Sequence, residues 1–83
     1  MSRNAEKNGE VAKDLSQYGQ CVSEPGDVRK YEECKRVVQA TIDKFGSVDI
    51  LVNGAAGNFL ASASKLSPNG FKTVLEIDTL GSF

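Results

Sequence analysis

Residues 48–60, VDILVNGAAGNFL, constrain the fold more than any other stretch of this chain. Val48, Ile50, Leu51 and Val52 form a short apolar run, the pattern of a strand covered on both faces. The run breaks at Asn53 into Gly54, Ala55, Ala56 and Gly57. In open α/β sheets, ligands bind beyond the carboxyl ends of the strands. Small residues there let the backbone come close to a ligand, because no side chain intervenes. The stretch therefore reads as a buried strand entering a ligand-side loop. A hairpin is the rival, since Asn-Gly between apolar residues is a strong turn signal. Ala55-Ala56-Gly57 counts against it, because these residues make a poor partner strand.

The flanking pattern alternates helix and strand. Residues 5–17 read as a helix with a thin apolar side of Ala5, Val11, Ala12 and Leu15, weakened by Asn8-Gly9 and stopped near Gly19. Residues 20–23 form a short strand candidate ended by Pro25-Gly26. From about Arg29 to Phe45, Tyr31, Cys34, Val38, Ile42 and Phe45 recur at helical spacing, and Gly46 stands where a C-terminal cap belongs. The charges on the other faces of that helix read as solvated. Ser67-Pro68 reads as an N-cap followed by proline at the first helical position, opening a helix to about Ser82. Helix, strand, helix, strand, helix is the α/β order, with no linker, repeat or second domain.

Composition excludes several classes. With 83 residues the core is modest at best, and a net charge of −1 offers nothing to nucleic acid or an anionic membrane. Cys21 and Cys34 lack metal spacing and histidine is absent, so no metal site is expected and a reducing compartment fits. No apolar run reaches membrane-spanning length, and Met1-Ser2-Arg3-Asn4 opens no signal-peptide core.

Asp78 is the informative acid. At 100° per residue it falls within the side of the last helix that carries Phe71, Val74 and Leu75. A carboxylate there is costly to bury unpaired. It either faces a cleft and handles protons or ordered water, or it is a partly exposed acid near a helix end. Asp27 reads first as an N-cap for the helix that follows it.

Taken together, VDILVNGAAGNFL and SPNGFKTVLEIDTLGSF resemble the short-chain dehydrogenase/reductase family, in particular its peroxisomal 2,4-dienoyl-CoA reductase branch. The resemblance runs along nearly the whole chain but covers only a middle portion of that family's domain. It implies a partial Rossmann-like, doubly wound parallel sheet, with residues 1–83 as an incomplete NADP-binding domain. The implied activity of the full-length parent is NADPH-dependent reduction of a 2,4-dienoyl-CoA in unsaturated fatty acid β-oxidation. The alternatives are another family member, such as a 3-oxoacyl thioester reductase, or a non-catalytic truncated product. A fatty acyl-CoA substrate, a homo-oligomeric parent and a peroxisomal location (otherwise cytoplasmic) are implied in the same way.

The resemblance also assigns residues. Asp78 stands where most family members have an active-site Asn three residues before a Gly, here Gly81; the peroxisomal branch is acidic at that position and lacks the usual catalytic Tyr. Asp78 is thus expected to deliver a proton or order water. Asn53 is expected to tie the loop to neighbouring strands, with Ala55, Ala56 and Gly57 along the adenosine and nicotinamide-ribose side. Gly54 replaces the second Asn of the family's usual pair, which removes a side-chain anchor. Asp27 is expected to meet the adenine amino group. Arg3 is expected to pair with the 2′-phosphate of NADPH, which a guanidinium fork suits. Asn58, Phe59 and Leu60 would border the substrate.

Two family parts have no match. No glycine-rich phosphate loop occurs, and Tyr31 with Lys35 mimics Tyr-x-x-x-Lys only in spacing, lying before the Asn53 loop rather than after the last helix. The strands at 20–23 and 48–52 would be third and fourth in the order 3-2-1-4-5-6-7, which are not neighbours. The 83 residues alone are therefore expected to be a fragment without stable enzyme activity.

Overall fold

The computed structural model describes residues 1–83. Helix α1 spans Ala5–Leu15, α2 spans Tyr31–Phe45 and α3 spans Pro68–Leu75, with a π-helical turn, Glu76–Leu80, continuing directly from α3. Local chemistry explains the boundaries. Asn4 caps α1 by accepting a hydrogen bond from the Lys7 N–H at 3.0 Å. Gly46 closes α2 at φ 88°, in the left-handed region, and donates its N–H to the Ile42 carbonyl. Ser67 Oγ accepts from the Gly70 N–H at 3.0 Å, with Pro68 at the start of α3. The helix starts and stops expected at Ala5, Gly46 and Ser67-Pro68 are all present.

The strands are not. Residues 20–23 and 48–52 form no ladder, and Ile50, Leu51 and Val52 are 85%, 71% and 83% exposed. This corrects the expectation of a buried strand at 48–52 and a short one at 20–23. The cause is pairing: a strand's N–H and C=O groups need a neighbour, and no residues here supply the strands that would lie between these two. The hairpin at 53–54 does not form either, since residues 48–60 are without ladder or turn.

Apolar burial is missing for the same reason. No hydrophobic side chain is buried, and α1, α2 and α3 do not pack on one another. The radius of gyration is 15.3 Å, against about 12 Å for a compact chain of this length. The stripe of Tyr31, Val38, Ile42 and Phe45 on α2 is exposed. The buried positions are Gly26, Asp27 and Gly70, so the tightest packing lies in the turn before α2 and at the start of α3. No helix is long and apolar enough to cross a membrane.

Candidate functional site

Two corners hold the residues that the sequence singles out. The first is the turn at 24–30, and polar groups build it. Asp27 is 8% exposed. Its Oδ1 accepts from the Arg29 backbone N–H and from Arg29 Nε, both at 3.0 Å. Its Oδ2 accepts from Nε at 3.1 Å and Nη2 at 2.6 Å. Asp27 is therefore not the N-cap of α2, as its position suggests. Lys30 occupies the N-cap without a side-chain bond, and Asp27 instead closes an Asx-type turn onto Arg29.

The backbone of Asp27 is held as firmly as its side chain. Its N–H donates to Glu33 Oε2 at 2.7 Å, and its carbonyl accepts from the Lys30 N–H at 3.0 Å. Glu33 pairs with Lys30, and Arg36 of α2 pairs with Glu24 while donating to the Pro25 carbonyl. The Arg29 hydrogen bond pushes the Asp27 carboxyl down to about 2, against an opposing effect of burial. Asp27 is thus ionised at physiological pH. The Asp27 N–H and then Lys30 lower the Glu33 carboxyl, and Asp27 raises the Arg29 guanidinium.

Arg3 reaches the same corner through Ser2. Ser2 Oγ donates to Asn8 Oδ1 at 2.5 Å, and the Ser2 carbonyl accepts from Asn8 Nδ2 at 3.0 Å and from the Gly26 N–H at 2.9 Å. Asn8, a weak helix residue by propensity, anchors the segment before α1. Arg3, Gly26, Asp27, Lys30, Glu33 and Arg36 then line one open concavity of about 510 Å³. The other basic side chains of this corner, Arg29, Lys30 and Arg36, each have a carboxylate partner, whereas Arg3 is in no ion pair.

The second corner joins the 53–57 loop to the π-helical turn. The Gly57 N–H donates to Asp78 Oδ1 at 2.8 Å, across 21 residues of sequence. Asp78 is exposed, and its second carboxylate oxygen is not used in that bond. The expected continuous helical face does not persist to Asp78. Winding changes at Glu76, where the Gly81 N–H bonds the Glu76 carbonyl, so a 100° wheel drawn from Phe71 misplaces residue 78. Asn53, Ala55 and Ala56 are exposed, and the strands Asn53 would tie are not formed. Asn58, Phe59 and Leu60 of the substrate side are all exposed, and one edge of the Phe59 ring touches the start of α3, 3.6 Å from where a Cβ on Gly70 would stand.

The corners meet at Gly81. A Cβ there would clash first with the Ile77 backbone carbonyl of the π-helical turn, and would also stand 2.7 Å from Val28 Cγ2 and 3.1 Å from Val28 Cβ. Gly81 has φ −64°, so glycine is needed for space rather than for backbone conformation. At Gly57 the nearest obstacle to a Cβ is Ile77 Cδ1 at 2.8 Å, the free end of a side chain that can move aside. Gly81→Ala is expected to destabilise the complete domain by about 1–3 kcal/mol, read as a lowered urea midpoint. Gly57→Ala should cost less, and the reverse ranking would show that Gly81 is not crowded by the Ile77 carbonyl and Val28 as described.

The short chain dehydrogenase family profile matches residues 1–83 in full. This chain belongs to the short-chain dehydrogenase family. It is 62% identical over 64 residues to the peroxisomal 2,4-dienoyl-CoA reductase of Arabidopsis thaliana, covering 77% of this chain and 22% of that protein. It is 50% identical over 84 residues to the enzyme of the same name from Danio rerio, covering 99% and 28%. A short chain dehydrogenase structure from Bacillus anthracis superimposes with a TM-score of 0.91 at 37% identity, covering 99% of this chain and 34% of that one. The chain thus spans roughly a quarter to a third of such relatives, and its fold class is the Rossmann-type α/β of this short-chain dehydrogenase family.

Arg29 and Glu33, which hold Asp27, are functional residues that periodicity misses. Their offsets from Asp27, two and six, would suit a strand, but Arg29 lies in a turn and Glu33 on α2. The Asp-x-Arg spacing of an Asx turn is the signal that could have suggested Arg29.

Proposed function

We propose that the complete protein reduces 2,4-dienoyl-CoA thioesters at the expense of NADPH, in the peroxisome and as a homo-oligomer. Residues 1–83 would form the middle portion of its NADP-binding domain. One structural observation carries the reading. The Asp78 carboxylate is fixed by the Gly57 amide, so an acid lies against the small-residue loop on which the coenzyme would rest. The names of the Arabidopsis and Danio relatives support the same substrate class.

The residues present fit the coenzyme. Arg3, free of an acidic partner, and Asp27, ionised and fixed, share one concavity. Arg3 would take the 2′-phosphate and Asp27 the adenine amino group, which selects NADPH over NADH by charge. Asn53, Ala55, Ala56 and Gly57 would border the ribose and nicotinamide. When bound, NADPH supplies the hydride.

Asp78 would then help deliver a proton or order a water at its free oxygen, while the Gly57 N–H keeps the carboxylate from turning away. Asn58, Phe59 and Leu60 would border the acyl chain, with Phe59 steadied against Gly70. The 83 residues alone are proposed to be non-catalytic, because their apolar faces are uncovered.

Purified complete protein should consume NADPH on adding a 2,4-dienoyl-CoA, and do so far more slowly with NADH. Preference for a 3-oxoacyl-CoA, together with a Tyr-x-x-x-Lys in the flanking sequence, would replace this reading with a 3-oxoacyl thioester reductase.

A further inference from the structure

We propose that Arg29 is a positioning residue for nucleotide selection: it locks the Asp27 carboxylate in the orientation that accepts a hydrogen bond from an adenine amino group. The inference rests on the proposed role of Asp27. It goes further by naming the group that gives Asp27 its selectivity.

The geometry is that of a fork. Three N–H groups of one residue reach both oxygens of one carboxylate: the Arg29 backbone N–H, Nε and Nη2, at 2.6–3.1 Å. A carboxylate has about four acceptor positions. Arg29 brings three hydrogens to these positions, its Nε–H being shared between Oδ1 and Oδ2 at 3.0 and 3.1 Å, so about one acceptor position is left for a further donor. A lone Asp on a turn would swing about its side-chain torsions. Held at both oxygens and at its backbone N–H by Glu33, Asp27 has no such freedom. The order is settled before a nucleotide arrives, which lowers the entropy that binding must overcome.

Arg29 is well placed to do this without leaving its partner. It is half-buried, and its guanidinium is stabilised first by Asp27 and also by the more distant Glu76 on the π-helical turn. The turn that carries it packs Val28 against Gly81. Adenine selection is thereby coupled mechanically to the segment bearing Asp78. A lysine at position 29 keeps the charge but offers no planar fork and no Nε between the two oxygens.

The test uses equilibrium binding and needs no turnover. In the complete protein, dissociation constants are measured by titration calorimetry for NADP⁺ and for its hypoxanthine analogue, in which a ring carbonyl replaces the amino group. The amino group donates to Asp27 and the carbonyl cannot, so the wild type should prefer NADP⁺ by roughly ten-fold or more. Asp27→Ala should reduce that preference to about two-fold or less, in keeping with a lost hydrogen bond. Arg29→Ala should reduce it nearly as far, and Arg29→Lys should fall between. A purely structural role for Arg29 would weaken both ligands equally and leave the ratio at its wild-type value, which overturns the proposal. If Arg29→Ala does not fold, the Arg29→Lys ratio decides: an unchanged ratio overturns the proposal and a reduced one supports it. If Asp27→Ala itself keeps the wild-type preference, the adenine reading of Asp27 fails and the proposal falls with it, an outcome distinct from failure of Arg29 alone.

Discussion

Alanine in place of Asp78 lowers kcat for dienoyl-CoA reduction roughly 10²- to 10⁴-fold in the complete reductase, the range lost with a general acid–base group. KM for NADPH should change far less, because the proposed role of the carboxylate is at the reacting end, with Arg3 and Asp27 proposed to hold the other. The same side chain also accepts a bond from Gly57, so alanine removes two things at once. Asparagine separates them. It keeps an oxygen for the Gly57 N–H but carries no exchangeable carboxyl proton. If Asp78→Asn stays as impaired as alanine, the acid itself is required. If asparagine restores turnover, the carboxyl proton is not required, and Asp78 serves to hold the loop or a water. Steady-state rates of the three proteins decide the matter.

Residues 1–83 alone, in solution, show no cooperative unfolding transition and oxidise no NADPH in the presence of a dienoyl-CoA. No hydrophobic side chain is fully buried, and only a few, such as Val28, Val37 and Ile77, are half-buried, so the largest favourable contribution to folding is small. Helices of 11 and 15 residues are marginal by themselves in water, and α1, α2 and α3 do not support one another. Far-UV circular dichroism against urea should give a shallow, featureless slope. A sigmoidal transition, or any turnover, would refute the expectation.

Helix positions were legible because their causes are local. The stripe on α2 repeats within the helix itself, and Gly46 and Ser67-Pro68 act on groups one turn away. The burial of 48–52 was not legible in the same sense. An apolar run states what a strand would like to touch, and only neighbouring strands can provide it. Asp27 misleads for another reason: Asp suits an N-cap and an Asx turn equally well, and the choice depends on Arg29 and Glu33, one in a turn and the other on α2. Asp78 was marked by the resemblance. Its orientation was not, because a helical wheel assumes uniform winding and the turn at Glu76–Leu80 departs from it with no Gly or Pro inside to announce the change.

The bonds around the 24–30 turn share a property that bears on how the domain assembles. Apart from the Gly26–Ser2 bond that brings in the N-terminal segment, they span at most 12 residues, from Asp27–Arg29 to Glu24–Arg36. Closing loops this short costs little chain entropy, and contacts of short sequence separation form fast. The Asp27–Arg29–Glu33 turn, the proposed adenine contact, can therefore come together early, as a local knot of charge. The exposed run at 48–52 has to wait for distant strands. In this chain, the charged turn proposed to meet the nucleotide is ready before the scaffold that will carry it.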